Sequence, residues 1–158
     1  MSTRETTGKN PISRIVVAES DTQIDGCFTV MAELRPHLTR ESFLQQIKRQ
    51  VEQGHFQLAY LENGAEVRAV AAFRIGENLA WGRYLYVDDL VTRASDRSHG
   101  YGAELFCWLT DYARGQGCDQ LHLDSGVLRH GAHRFYLSNR MDITSFHFAM
   151  RLITTSPG

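Results

Sequence analysis

No stretch of this chain constrains its fold as tightly as Arg97-Ser98-His99-Gly100-Tyr101-Gly102, which joins a strand-like run to a helical one. Upstream, residues 83–92 form one long apolar-rich strand. Downstream, Leu105, Trp108, Leu109, Tyr112 and Ala113 recur at helical spacing. A helix start carries unpaired N–H groups and partial positive charge, so such a junction favours anions. Glycines let the backbone approach a diphosphate closely, and Arg97 adds a guanidinium. Three readings compete for the segment. A Walker A loop needs G-x-x-x-x-G-K-[ST], which is absent. A dinucleotide fingerprint needs a third glycine where Leu105 stands. The third reading is a plain glycine turn ahead of a surface helix.

The remaining elements follow from periodicity and turn chemistry. Residues 15–18 read as a short first strand. Asp21 or Thr22 can cap a helix carrying Ile24, Phe28, Met31 and Leu34, which Pro36 interrupts. Thr39 caps a second helix with Phe43, Leu44, Ile47 and Val51 on one face, closed by Gly54. Residues 56–62 and 66–75 are strands about an Asn63-Gly64 hairpin turn, and Gly76-Glu77-Asn78 is the next turn. In the strand 83–92, Tyr84, Tyr86, Asp88 and Leu90 share one side and Leu85, Val87, Asp89 and Val91 the other, up to any bulge that would change the phase. Residues 121–123 form a strand, 131–139 a short helix, and 143–152 a last strand with Thr144, Phe146, Phe148 and Met150 on one face. The order is β-α-α-β-β-β-α-β-α-β, an α+β fold with a mixed sheet. A flexible segment, 1–12, precedes a single domain over 13–155.

Composition excludes several classes. The 158 residues suffice for a core without disulfides or metal. With 17 basic against 18 acidic residues, the net charge of −1 leaves no electrostatic footprint for nucleic acid or an anionic membrane. Any anionic ligand must be held by a local feature. No apolar run approaches the roughly 18 residues that span a bilayer. Residues 1–10 are polar and lack the apolar region of a secretory signal. The three cysteines, Cys27, Cys107 and Cys118, make no C-x-x-C pair, which points to a reducing cytoplasm. Cys27 and Cys107 fall on apolar helix faces and are expected in the core. Among seven histidines, His130 and His133 have i, i+3 spacing and His122 accompanies Asp124, but no set has strong zinc spacing, so no metal is expected.

The pattern Arg97-x-x-Gly100-x-Gly102 after a strand, with two helices and a hairpin upstream, resembles the GNAT superfamily of acyl-CoA N-acyltransferases. The likeness extends over nearly all of residues 15–152. It implies a mixed, mostly antiparallel central sheet flanked by helices, and acetyl-CoA as co-substrate. It implies that Arg97, Ser98, His99, Gly100, Tyr101 and Gly102 hold the CoA pyrophosphate, and that Leu90, Val91 and Thr92 meet the pantetheine arm. Ala132…Phe135-Tyr136 is similar to the family's A-x-x-x-Y segment, which implies Tyr136 as the acid that protonates the departing thiolate. The family's Gly-Phe end is replaced here by Ser138-Asn139-Arg140-Met141, and its frequent asparagine seven residues before the tyrosine by Arg129.

Tyr86-Val87-Asp88-Asp89-Leu90-Val91-Thr92 is similar to the acidic strand of polyamine and other small-amine acetyltransferases. There an acid at the Asp88 position lies near the amine. A buried unpaired carboxylate is costly, so two adjacent acids in an apolar strand need a reason. One reason is catalysis; the other is an ion pair with Arg74, Arg83 or another strand neighbour. In the catalytic reading Asp88 attracts an ammonium and takes its proton, a backbone N–H near Val91 stabilises the oxyanion, and transfer is direct within a ternary complex. Asp89 and His37, with Arg35 beside it, are candidate acceptor contacts. The acceptor expected is a small-molecule primary amine. The alternatives are a protein lysine or N-terminus, or a CoA-binding regulatory module without turnover. Dimers are common in the family, so a homodimer is among the expected assemblies.

Overall fold

The computed structural model describes residues 12–153. The expected flexible segment therefore lies, but for Ile12, outside the described residues, as do the last residues of the expected domain. The chain divides into two compact units, Met1–Leu123 and Asp124–Gly158.

The first unit contains β1 (Arg14–Val17), α1 (Asp21–Gly26), α2 (Phe28–Leu34), α3 (Arg40–Glu52), β2 (Phe56–Asn63), β3 (Glu66–Asn78), β4 (Gly82–Thr92), α4 (Tyr101–Gly115) and β5 (Gln120–Leu123). Its five strands lie in sequence order, β1 to β4 antiparallel and β5 parallel to β4. The sheet is thus mixed and mostly antiparallel, the α+β architecture read from the sequence. Alternation along the strands feeds two cores. Leu58, Tyr60, Val70 and Ala72 pack with Met31, Phe43 and Ile47 of α2 and α3. Ala59, Leu61, Ala71 and Phe73 pack with Leu105, Leu109 and Ala113 of α4. Phe73 meets Trp108 and Tyr112 edge-on, and the Tyr112 hydroxyl donates to Gln57 Oε1 at 2.7 Å.

Several boundaries differ from those expected. Ser20, not Asp21 or Thr22, caps α1, in a reciprocal capping box with Gln23. The helix expected across Ile24–Leu34 breaks at the fully buried Cys27 into α1 and α2. Thr39 caps α3 as expected, with Ser42 completing the box. The β2–β3 turn is centred one residue late: Asn63 pairs with Glu66, and Gly64 and Ala65 both take positive φ, 63° each. Positive φ at both central residues matches the twist of the flanking strands. The next turn also comes late, because β3 continues through Asn78, whose side chain then accepts from the Trp81 N–H at 2.7 Å. Cys107 is exposed on α4 rather than in the core, since the buried face runs through Leu105, Phe106 and Leu109.

The second unit holds α5 (His130–Ser138). The strand expected over residues 143–152 is absent from the sheet: residues 141–153 form no ladder, and Phe146, Phe148, Met150 and Leu152 are exposed. Alternation establishes that a segment suits a strand, but a strand also needs an edge to pair with. Among the described residues no helix is long and apolar enough to cross a membrane.

Candidate functional site

The centre of the site is an irregularity in β4. Ala72 pairs with Asp89 and Phe73 with Val87, so Asp88 is an extra residue that opposes nothing on β3. Before it, Leu85 and Val87 face the α4 core; after it, Leu90 does, while Val91 joins the core on the α2–α3 side. The strict alternation expected for β4 therefore holds only up to Val87. The phase shift turns Asp88 and Asp89, two neighbours that a regular strand would send to opposite faces, into the same cleft.

That cleft has a volume of about 630 Å³ and is lined by Arg35, His37, Phe43, Arg74, Asp88 and Asp89 among others. Both carboxylates are paired. Arg74 Nε donates to Asp88 Oδ2 at 3.0 Å and Arg74 Nη2 to Oδ1 at 2.8 Å. This two-pronged contact raises the Arg74 pKa further, against the opposing effect of its partial burial. Arg35 Nε donates to Asp89 Oδ1 at 2.7 Å. The pairing of Asp88 with Arg74 is one of the two reasons the sequence allowed for an acid there, and Asp89 finds its partner on the α2–α3 link rather than on a strand. The wall supplied by α3 and its C-cap includes Gln46, Gln50 and Gln53, which the sequence reading passed over. Their spacing of four and three residues is the signal that marks one polar face of a helix.

The bulge also stands where the pairing with β5 stops. β4 pairs with β5 only from Tyr84 to Val87; from Asp88 onward no strand among the described residues lies on that side. The backbone of Leu90, Val91 and Thr92 thus has a free edge, as an extended ligand arm requires. β4 ends at Thr92, and one helical turn later the segment of residues 97–102 opens α4.

Its local geometry suits an anion. Gly100 caps α4 in the left-handed conformation, φ 82°, with no side-chain cap. Glu104 N–H is bonded to Gly100 O, so the amides of Tyr101, Gly102 and Ala103 are the orphan donors of the helix start. A Cβ on Gly100 would meet nothing within 4 Å, whereas one on Gly102 would lie 2.9 Å from Thr92 Oγ1. The two glycines thus serve different ends: Gly100 permits the turn, and Gly102 lets α4 start flush against the end of β4. Arg97, Ser98 and His99 are exposed, and Arg97 has no ion-pair partner among the described residues. These orphan amides and the exposed guanidinium fit a pyrophosphate.

The base of this segment rests on residues that the sequence reading missed. Asp96 is buried and accepts from Arg93 Nε and from Arg68 Nη1, the latter at 3.1 Å. The Arg93 hydrogen bond, helped by that from Arg68, holds its carboxyl below the usual range against the desolvation that would raise it. Ala94 N–H donates to Glu33 Oε2 at 2.8 Å, which ties the segment to α2 as well. The available signal was an acid set among arginines in Arg93-Ala94-Ser95-Asp96-Arg97.

In the second unit, Tyr136 lies half-buried on α5 with Phe135 edge-on at 5.5 Å. Burial pushes its phenol pKa up, and the Arg129 guanidinium partly offsets this. A phenol of raised pKa keeps its proton over the whole neutral range, as a proton donor must.

Comparison with known proteins agrees with this geometry. Residues 15–140 match the acetyltransferase (GNAT) family. The chain is 34% identical over 124 residues to the uncharacterized N-acetyltransferase YhdJ of Bacillus subtilis (strain 168), covering 78% of this chain and 87% of that protein. It superposes on the aminoglycoside N-acetyltransferase AAC(6')-Iy in complex with CoA with a TM-score of 0.82 at 11% identity, covering 92% of this chain and 98% of that one. On the glucosamine-6-phosphate N-acetyltransferase of Arabidopsis thaliana the TM-score is 0.72 at 19% identity, covering 90% and 99%. The open β4 edge, the helix start beside it and the family match converge: this chain is a member of the GNAT acetyltransferase family, acyl-CoA-dependent N-acyltransferases that use acetyl-CoA.

Proposed function

We propose that the protein transfers an acetyl group to the primary amine of a small molecule bound in the cleft over Asp88 and Asp89. The observation that carries this reading is the β4 bulge, which brings two carboxylates to one face where the strand parts from β5. A volume of about 630 Å³ lies in the range of small-molecule sites, roughly 300–1,000 Å³.

Acetyl-CoA supplies the activated acetyl thioester. Arg97 and the amides of residues 97–102 would hold its pyrophosphate, and the free edge of Leu90, Val91 and Thr92 its pantetheine arm. A primary amine of pKa about 10.4 arrives protonated and must lose that proton to become a nucleophile. Asp88 attracts the ammonium and accepts the proton, directly or through one water. Arg74 engages Asp88 Oδ1 twice but Oδ2 only once, so Oδ2 keeps a lone pair for the proton and the ion pair orients Asp88 without saturating it. Asp89, held by Arg35, and His37 line the acceptor's path. Tyr136 donates the proton that the departing thiolate needs.

The test is acetyl-CoA turnover, read as free-thiol release, against polyamines, amino acids, aminoglycosides and lysine peptides. Turnover with at least one small amine, exceeding that with any peptide, is the expected result. Turnover with peptides alone would transfer the acceptor assignment to proteins.

A further inference from the structure

The cleft over Asp88 and Asp89 is balanced in charge but uneven in what it shows an incoming molecule. Among the described residues its charged lining is two guanidinium groups, Arg35 and Arg74, and two carboxylates, Asp88 and Asp89. In each ion pair the cation is the more exposed member. The side chains of Arg35 and Arg74 are 47 and 48% exposed, against 19 and 22% for Asp89 and Asp88. The two pairs also differ in grip. Arg74 holds both oxygens of Asp88, and its guanidinium lies over the Tyr86 ring, 5.0 Å from the centroid. Arg35 aims Nε and Nη2 at one oxygen, Asp89 Oδ1, at 2.7 and 2.6 Å, so its Nη1 donors have no protein partner among the described residues. Arg35 is the C-cap of α2, and Pro36 after it restrains the backbone from which the side chain reaches the cleft.

We propose that the cleft selects a zwitterionic acceptor, an amine whose far end carries a carboxylate or phosphate, with the idle edge of Arg35 as the group that binds the anion. This rests on the acetyl-transfer reading and narrows its substrate class. A polyamine fits poorly. Its first ammonium takes the remaining lone pair of Asp88 Oδ2. Its second then enters a cleft whose carboxylates are each already matched by a more exposed guanidinium. An anion meets the opposite, because the planar fork of an arginine presents its N–H groups in the geometry that carboxylate and phosphate oxygens accept. His37 and the amides of Gln46, Gln50 and Gln53 supply further hydrogen-bonding groups and no negative charge.

The test compares alkylamines, diamines, ω-amino acids and aminoalkyl phosphates with chains from ethyl to hexyl. Binding to the full chain saturated with CoA is read by calorimetry, and acetyl-CoA turnover by free-thiol release. At the best length, an acidic amine should exceed the diamine by about tenfold or more in affinity and in kcat/KM, the scale of one hydrogen bond to a charged group. The carboxylate and phosphate arms identify the anion. Arg35→Gln should weaken the acidic amines by a similar factor and improve the diamines, since Asp89 then lacks its cation. A diamine that binds as well as any acidic amine overturns the proposal. So does binding by no member of the series, or a folded Arg35→Gln protein that weakens every acceptor alike. Preferential binding of an acidic amine without turnover supports the selectivity and overturns the acetyl-transfer reading instead. Should Arg35→Gln fail to fold, the ranking of acceptors by the unsubstituted chain decides the matter by itself.

Discussion

Asp96→Asn isolates the anchor beneath the loop of residues 97–102. The carboxylate accepts from two guanidinium groups, and the side chains of Asp96, Arg68 and Arg93 are only 10, 18 and 25% exposed. An isosteric amide keeps one acceptor oxygen but turns an N–H₂ donor toward the second arginine. One hydrogen bond to a charged group, about 1.5–3 kcal/mol, is lost, and a guanidinium is left facing a donor. The sum is roughly 2–4 kcal/mol. In a chain of this size each kcal/mol moves Tm by roughly 2–4 °C, so the variant should melt on the order of 4–16 °C lower. The pH dependence has a fixed sign. Because the folded Asp96 pKa is depressed, its contribution is fully present above the unfolded carboxyl value of about 3.9 and is lost as pH falls through the folded value. The stability gap between the two proteins should therefore be flat from neutral pH down to about 5 and close only in stronger acid. Urea unfolding across pH measures it. A gap below about 1 kcal/mol at pH 7 would refute the reasoning and mean that water serves the two arginines as well as Asp96 does.

Three further outcomes follow. Gly100→Val and Gly102→Val should both weaken CoA binding in calorimetry but differ in stability: the first strains a left-handed cap in open space, and the second pushes on Thr92, so only the second should be partly rescued by Thr92→Ala. Tyr136→Phe should lower kcat by roughly 10²–10⁴-fold with CoA affinity nearly unchanged, and near-normal turnover would assign the ring to packing. Asp88→Asn should reduce kcat/KM for the best amine far more than CoA binding, whereas Asp89→Asn should act more on the position of Arg35; if neither variant loses activity beyond its loss of folded protein, both acids are structural.

What sequence reading recovered was whatever is local. The caps at Thr39, the hairpins and the loop of residues 97–102 are each written within a few residues. Turn centres slipped because Ala65 accepts a left-handed conformation that propensity assigns to Asn63 or Gly64. The break at Cys27 escaped because Ile24, Phe28 and Met31 keep helical spacing across it. The acids of β4 were visible and Arg74 was among the partners expected for them, but Arg35, 54 residues from Asp89, follows only from the docking of the α2–α3 link. The 143–152 segment shows the same limit. Its alternation was legible, but the edge it needs is a tertiary property.

The surplus residue in β4 can be counted another way. Leave Asp88 out, and Leu85, Val87 and Leu90 still face α4 while Asp89 and Val91 still face α2 and α3, now in unbroken alternation. Neither core depends on Asp88 being there. A chain shortened by that one position should still fold, with a straighter β4. The residue proposed to handle the amine's proton is thus also the one whose insertion breaks the alternation of β4, and a single deletion would remove reagent and bulge together while the scaffold survives.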